Sequence, residues 1–388
     1  MTCYINAVGV ISALGNGLDE TRRNLFAGVS PGMRVTDHYS PGRPLMLGQV
    51  DDATLPSLAA LPVALRSRNN ALLRVALAQV RPVLDELARG VPKQRIAVIL
   101  GTSTSGISHG EAAIAEKLAH GDLPADFHYR QQELGSLSAF IAHETGALGP
   151  AYCISTACTS GAKAIAAGAR LLAHGVADIV IAGGADTLAR FTVAGFGAID
   201  SIAPALCQPS SVNRHGINMG EAAALFVLSR SPAAVRVAGW GETSDAHHIS
   251  APAPDGRGAR TAIQHALAQA GSSASDIGYV NLHGTATLQN DAMENHAVAD
   301  LLPGVPVSST KPLTGHCLGT AGSLEAALCW LTLTDAEHRL PPHVWDGMAD
   351  PALPVLPYAR VGQTAAVTAV LSNSFAFGGN NIALVFSR

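Results

Sequence analysis

The sequence predicts an α/β fold with a buried sheet, and three observations support this prediction. Hydrophobic residues make up 48% of the 388 residues and charged residues only 14%, which excludes an intrinsically disordered chain. Short apolar runs alternate with stretches of helical periodicity, as a parallel sheet with helical crossovers requires. Two strand-turn-helix corners, "TACTSGAKAIAAG" and "TGHCLGTAGSLEAAL", are alike, which suggests an internal duplication with a site between the halves.

The predicted elements of the first half, residues 1–233, follow one another as strands and helices. Residues 5–15 are predicted as a strand that ends in a turn, and residues 67–90 have helical periodicity and end at Gly. Then come a buried strand that runs into a Gly/Ser/Thr loop at 95–106, the corner at 152–172, and buried strands at 178–188 and 221–230.

The second half, residues 234–388, repeats this style. It contains strands at 235–245 and 277–287, a strand-turn-helix unit at 305–333 and a last strand at 366–386. Residues 207–221 and 250–258 are predicted loops. Because no low-complexity linker separates the halves, we expect them to share one core.

Charge, hydropathy and cysteine usage narrow the functional class. A net charge of −4 without a basic stripe excludes a general nucleic-acid binder. No run of about 18 apolar residues and no signal peptide is present, so we expect a cytoplasmic protein without a membrane span. Six cysteines are too sparse for a disulfide framework, and the absence of CxxC and HExxH motifs predicts no metal site.

Cys158 is the candidate nucleophile because it lies where a buried strand turns into a helix. The first turn of a helix has free N–H groups and the positive end of the dipole, which predicts a lowered thiol pKa. Ala157, Ser160 and Gly161 are small and would leave room for a substrate beside the sulfur. The other five cysteines are predicted to be buried apolar side chains.

A cysteine nucleophile needs polar partners, and two Gly-flanked turns of the second half supply them. "NLHGTAT" contains His283, and "STKPLTGH" contains Lys311 and His316. Each turn follows a buried strand, where side chains converge on a cleft. We therefore expect these three residues to face Cys158.

These motifs resemble those of the elongating β-ketoacyl-acyl carrier protein synthases of the thiolase superfamily. The resemblance rests on "TACTSG", on "HGTAT" with the downstream Glu294, on "STKPLTGH" and on "SNSFAFGGNN", in the family's order. It implies a thiolase-like fold in which two duplicated βαβ halves form five layers, α-β-α-β-α. It also implies a decarboxylative Claisen condensation in fatty acid, polyketide or aryl-polyene chain elongation.

The resemblance also implies residue roles. Cys158 would hold the acyl group as a thioester, and neutral His283 and His316 would stabilise the enolate formed from malonyl-carrier protein. Lys311, paired with Glu294, would hold the histidines in place. The N–H groups of Cys158 and Phe377 would stabilise the oxyanion, and Phe377 would gate the acyl pocket. The remaining substrate-binding residues implied by the resemblance are Thr285, Thr287, Thr104, Phe375, Gly378 and Gly379.

Two departures and one pocket position bear on the pathway. The family usually has Gly at the position of Ala376 and Pro at the position of Leu288. Thr104 occupies a position where the family often limits the acyl pocket, and its small side chain predicts a longer channel. These features favour a specialised polyene or aryl-polyene pathway over a housekeeping enzyme.

The resemblance implies no bound cofactor, because phosphopantetheine arrives on an acyl carrier protein. The acidic carrier should dock on a basic face near the substrate tunnel, for which Arg66, Arg68 and Arg74 are candidates. A homodimer, or a heterodimer with a chain-length-factor-like homologue, is expected, with the strand near "CIST" at the seam.

The residues present also bear on three alternative functions. A degradative thiolase would have a second cysteine near the C-terminus, but the last cysteine is Cys329. An initiating or chalcone-type synthase would use Cys, His and Asn, whereas here His316 follows Lys311 by five positions. A non-catalytic chain-length or scaffold subunit should have lost the nucleophile, and Cys158 is present.

Overall fold

The computed structural model describes residues 2–388, and eleven of the strands in that range form one mixed sheet. The strands are β1 (Cys3–Ser12), β2 (Gly15–Asn16), β3 (Met33–Thr36), β4 (Leu45–Gly48), β5 (Ile96–Gly101), β6 (Ala151–Ile154), β7 (Ile179–Asp186), β8 (Ala222–Ser229), β9 (Val235–Ser244), β10 (Tyr279–Asn281), β11 (Val307–Ser308), β12 (Ala369–Ala376) and β13 (Asn380–Ser387). Strands β3 and β4 form a separate antiparallel pair.

The helices are α1 (Leu18–Ala27), α2 (Arg68–Leu87), α3 (Ile107–His120), α4 (Ser136–Thr145), α5 (Ser160–Ala173), α6 (Arg190–Ala198), α7 (Arg257–Ala270), α8 (Leu288–Leu301), α9 (Lys311–Thr314) and α10 (Ala321–Thr334). Among residues 2–388, no helix combines the length and the apolar character that a membrane crossing requires.

The strand order confirms the internal duplication. The first half is ordered β6-β5-β7-β8-β1 and the second β11-β10-β12-β13-β9. Numbered along the chain within each half, both orders are 3-2-4-5-1. The parallel and antiparallel pairings also correspond, and a short antiparallel pairing of β1 with β9 joins the halves edge to edge.

The prediction of parallel strands is correct for only part of each half. Strands β5, β6 and β7 are parallel. Strand β8 runs antiparallel to β7 because the connection 187–221 begins and finishes at the same end of the sheet. The predicted last strand, 366–386, is two antiparallel strands, β12 and β13. The turn between them uses Gly378 and Gly379, whose φ angles of 77° and 71° suit glycine.

The helices and the two halves of the sheet form the expected five layers. Helices α5 and α10 pack against each other and against apolar side chains from both halves of the sheet. Helices α2 and α4 cover the outer face of the first half. Helices α7 and α8 cover the outer face of the second half. The central layer therefore lies between the two duplicated halves.

Small residues allow α5 and α10 to cross closely. A methyl group at Gly161 would lie 2.7 Å from Ser323 Oγ, and one at Gly322 would lie 2.7 Å from the Cβ atom of Ala162. Gly161 therefore makes room for α10 rather than for substrate, contrary to the prediction. The crossing brings together the N-terminal ends of both helices, which follow the Cys158 and His316 corners.

Candidate active site

The turn that presents Cys158 is held by its own hydroxyl side chains. Thr159 Oγ1 donates to the carbonyl of Thr156, and Ser160 Oγ accepts from the Thr156 N–H at 2.9 Å. Ala157 has a φ angle of 53°, an uncommon conformation for a residue with a side chain. The hydroxyl-rich sequence "STACTS" therefore stabilises a sharp corner from which the thiol projects.

His316 lies directly against the thiol, with its Nε2 atom 2.9 Å from Cys158 Sγ. It follows α9, and its backbone N–H donates to the Asn218 carbonyl while its own carbonyl accepts from Gly220. These bonds fasten the second-half corner to the loop before β8. The contact places one shared proton between sulfur and imidazole.

His283 completes a compact cluster at the end of β10. Its ring centroid is 5.4 Å from that of His316. The heteroatoms of Cys158, His283 and His316 lie within 4.8 Å of one another, a spacing that would also suit a soft metal ion such as Zn²⁺. The Lys311 Nζ atom is 3.5 Å from His283 Nδ1 and donates to the His283 carbonyl. With Lys311 donating to Nδ1, neutral His283 has its proton on Nε2.

The predicted pairing of Lys311 with Glu294 is wrong. Lys311 Nζ forms its ion pair with Glu325 on α10, and both side chains are almost fully buried. Glu294 instead accepts the backbone N–H groups of His283 and Gly284 at 2.8 and 2.7 Å. Glu294 thus holds the backbone of the turn that contains His283, whereas Glu325 neutralises the charge of Lys311.

Burial dominates the electrostatics of the cluster. It raises the pKa of the Cys158 thiol to about 12, although the Lys311 charge opposes this, so the predicted lowering of the thiol pKa is wrong. Burial, reinforced by the Lys311 charge, holds the pKa values of His283 and His316 well below their ordinary value. The resting cluster therefore contains a neutral thiol and two neutral imidazoles.

The cluster lies at a cavity of about 180 Å³. Several predicted residues line it as expected: Thr285, Thr287, Phe375 and Phe377. The hydroxyls of Thr285 and Thr287 are 2.9 Å apart. Ile199, another lining residue, is 52% exposed, so the cavity reaches the surface.

Three predicted substrate-binding residues do not line this cavity. Thr104 is buried. Its hydroxyl donates to Asp186 and accepts from the Thr187 N–H, so it is engaged in hydrogen bonds within the protein and does not face a substrate. Gly378 and Gly379 shape the β12–β13 turn instead. The Gly379 carbonyl accepts from the Asp245 N–H, and a methyl group on Gly379 would lie 2.9 Å from Asp245 Cβ.

The predicted docking arginines also have internal partners. Arg68 donates to both carboxylate oxygens of buried Glu221 and pairs with Asp52. Arg66 donates to the Leu61 carbonyl, and Arg74 pairs with Glu144. These side chains anchor the start of α2, so the structure does not favour them as a free basic surface.

Glu325 and most of the cavity wall were not among the predicted residues. Glu325 lies within "TGHCLGTAGSLEAAL", but it was not predicted to pair with Lys311, because only the packing of α10 brings the two side chains together. The missed lining residues are Phe196, Ile199, Ser201, Ile217, Ser250, Pro252, Gln289, Asn290 and Asn381. The "ND" after "HGTATLQ" and the "NN" after "FGG" could have indicated Asn290 and Asn381, whereas α6 contains no motif.

Comparison with known proteins agrees with this geometry. The family model described as "Beta-ketoacyl synthase, N-terminal domain" matches residues 4–234, and "Beta-ketoacyl synthase, C-terminal domain" matches residues 234–344. A 3-oxoacyl-[acyl-carrier-protein] synthase 2 from Staphylococcus aureus strain COL is 27% identical over 99% of this chain and 97% of its own length. The 3-oxoacyl-[acyl-carrier-protein] synthase 2 from Synechocystis is 32% identical over 81% of this chain and 79% of its own length.

Solved structures extend the similarity. A chain from the complex of the ketosynthase ApeO with its chain length factor ApeC from Xenorhabdus doucetiae is 45% identical, with a TM-score of 0.94 over 100% of this chain and 98% of that one. A chain of the ishigamide ketosynthase/chain length factor is 26% identical, with a TM-score of 0.89 over 100% of this chain and 98% of that one. The chain belongs to the β-ketoacyl synthase family.

Proposed function

We propose that this chain is a β-ketoacyl-acyl carrier protein synthase that elongates an acyl group held on Cys158. One observation carries the proposal: the thiol lies 2.9 Å from one neutral imidazole and shares a cavity with a second. The thiol can hold an acyl group while the imidazoles act on an incoming thioester.

The first step transfers the acyl group. The Cys158 sulfur attacks the carbonyl of an acyl-carrier thioester, and its proton passes to Nε2 of His316 as the C–S bond forms. When the bond to pantetheine breaks, the leaving thiolate takes that proton. The acyl group is then a thioester of Cys158, and the carrier leaves as a free thiol.

The second step produces the carbon nucleophile. Malonyl-carrier protein loses CO₂. The electrons of the broken carbon–carbon bond delocalise onto the thioester oxygen, which gives an enolate. His283, protonated on Nε2 because Lys311 lies at Nδ1, donates a hydrogen bond to that oxygen. Once Cys158 is acylated, its sulfur has no proton to give to His316, so His316 in the tautomer with its proton on Nε2 donates a second hydrogen bond. Neutral imidazoles suit this role because they donate without protonating the enolate carbon.

Condensation follows when the enolate carbon attacks the acyl carbonyl and the bond to Cys158 breaks. The N–H groups of Cys158 and Phe377 stabilise the oxyanion in this proposal, and both residues line the cavity. The products are β-ketoacyl-carrier protein, CO₂ and the Cys158 thiolate, which takes one proton. No external base is needed, because decarboxylation supplies the nucleophile.

The buried cluster also weighs against the alternatives. A non-catalytic chain-length subunit would have no use for a thiol placed against His316. A degradative thiolase uses a second cysteine as base, whereas the groups around Cys158 here are two histidines and Lys311. The division into halves at residues 233 and 234, the absence of a resident cofactor or metal, and the cytoplasmic location all remain predictions.

An acyl carrier protein and a chain-length-factor-like homologue are the proposed partners. The two solved structures described above each contain a ketosynthase with a chain length factor. Strand β6 ends the sheet, and its free edge suits continuation into a partner.

An exposed apolar surface, which we call the α3–α6 face, also favours a second chain. It comprises Ile114, Leu118, Tyr129 and Phe191, each at least 59% exposed. A heterodimer places the chain in a specialised elongation pathway.

Intact-mass measurement after incubation with a panel of acyl-carrier proteins tests the proposed function. The wild-type chain should gain the mass of one acyl group on Cys158, and Cys158→Ala should gain none. Adding malonyl-carrier protein should discharge the adduct and release CO₂. Absence of an adduct across the panel would refute the proposal.

A further inference from the structure

Helix α6 forms one wall of the catalytic cavity. Phe196, in its last turn, lines the cavity, and its ring centroid lies 5.7 Å from that of Phe377. Ile199, which follows the helix directly, lines the cavity too. The position of α6 therefore sets the space beside the thiol into which an acyl chain extends.

This helix is intrinsically weak. It has nine residues, "RFTVAGFGA", two of which are glycines that lower helix propensity. Val193 is its one buried residue, so packing contributes little to holding it. The stability of α6 must therefore depend on the bonds at its ends.

Glu111, on α3, supplies the bonds at the N-terminal end. Ala189 occupies the N-cap position, and no side-chain cap bond is formed there. The two oxygens of the Glu111 carboxylate accept the N–H groups of Arg190 at 3.1 Å and Phe191 at 2.5 Å. A carboxylate at this end also interacts favourably with the helix dipole.

The other end is fixed to the loop before β8. The Ser201 N–H donates to the Phe196 carbonyl at 3.0 Å, and the Ile217 N–H donates to the Ser201 carbonyl at 2.8 Å. Since Ile217 is buried and lines the same cavity, this end is anchored to the rigid interior. Glu111 therefore holds the outer end of α6 through two backbone N–H groups, and Arg190 adds a side-chain bond from Nε to the His38 carbonyl at 3.2 Å.

We propose that Glu111 is a positioning residue that fixes α6 and thereby sets which acyl chains the cavity accepts. The proposal rests on the proposed function. Glu111 shares one side of α3 with Ile114 and Leu118, three and seven residues later, and both of these are exposed. A partner that covers the α3–α6 face therefore contacts the same helix side that holds the cavity wall.

The test compares Cys158 acylation rates for an acetyl group and for a long acyl group. Glu111→Ala should raise the KM for the long acyl-carrier protein about fivefold, the effect of losing a helix cap, and leave the KM for the acetyl group unchanged. Glu111→Gln, which keeps one acceptor oxygen, should recover part of the loss. Glu116→Ala is the matched control, because Glu116 lies on α3 and is half exposed.

A second substitution distinguishes positioning from general damage. A methyl group at Gly195 would meet nothing within 4 Å, so Gly195→Ala should stiffen α6 without touching the cavity. Combined with Glu111→Ala, it should restore the long-chain KM. Equal losses for both acyl groups, or no difference between Glu111→Ala and Glu116→Ala, would overturn the proposal. If the wild-type chain accepts no acyl group, the proposed function itself fails.

Discussion

Lys311 and Glu325 form an ion pair whose side chains are only 2% and 4% exposed. Such a pair is costly to bury, but removing one partner costs more because the other charge is left uncompensated. Here Lys311 also bonds to the carbonyl and Nδ1 of His283. The pair therefore connects stability directly with the catalytic histidine.

Glu325→Gln should lower the free energy of unfolding by about 3–5 kcal/mol in urea titrations at pH 8. The double variant Lys311→Met/Glu325→Gln should recover most of this stability, because no buried charge remains, but not activity. Glu337→Gln is the control, since that carboxylate is 70% exposed in its pair with Arg339 and should change stability by less than about 1 kcal/mol. Wild-type stability in Glu325→Gln would contradict the assigned pairing.

The neutral histidines predict a specific pH dependence. An ordinary histidine becomes protonated as pH falls through 6.5, but the lowered pKa values of His283 and His316 keep both rings neutral to lower pH. Malonyl decarboxylation by Cys158→Ala, followed as CO₂ release, should therefore stay constant from pH 8 to pH 6. A loss with a midpoint near 6.5 would show that the rings titrate normally.

At the scale of elements, the crossing of α5 and α10 decides whether the two corners meet. Gly161 contacts Ser323 of α10, so a methyl group there would push the helices apart. Since Cys158 precedes α5 and His316 precedes α10, a small separation of the helices would lengthen the contact between thiol and imidazole.

Gly161→Ala should destabilise the protein by about 1–3 kcal/mol and slow acylation of Cys158 at least tenfold, because an acceptor moved by 1 Å no longer takes the thiol proton. Gly168→Ala, in the same helix, is the control: its methyl group would meet the Val180 and Leu228 side chains, which lie on β7 and β8 rather than on α10. Urea unfolding and intact-mass time courses measure the two effects. Equal acylation rates in both variants would show that the crossing does not set the site.

At the scale of the molecule, the α3–α6 face should be covered by a partner chain. Leu118, on this face, is 84% exposed, and a charge there would oppose an apolar contact. Leu118→Glu should weaken association with a coexpressed chain-length-factor-like homologue at least tenfold, as followed by sedimentation. Val355→Glu, at a site that is 87% exposed and outside this face, should have no effect. The reverse result would place the partner elsewhere.

The sequence by itself determined the alternation of elements, the duplicated corners and the identity of the reactive groups. These features are local: apolar periodicity defines a strand or helix, Cys158 and His283 follow strands β6 and β10 closely, and Lys311 and His316 lie in and just after the short helix α9. Their convergence was also predictable, because strand ends of a duplicated sheet meet at one cleft.

The tertiary structure alone decided which group each of these residues contacts. Lys311 has one candidate partner on α8 and another on α10, and only the packing of α10 selects Glu325 over Glu294. The helix terminus predicted a lowered thiol pKa, but burial raises it, since desolvation depends on atoms distant in the sequence. Thr104 and Arg68 were likewise predicted from position and charge, and long-range contacts with Asp186 and Glu221 give both an internal role.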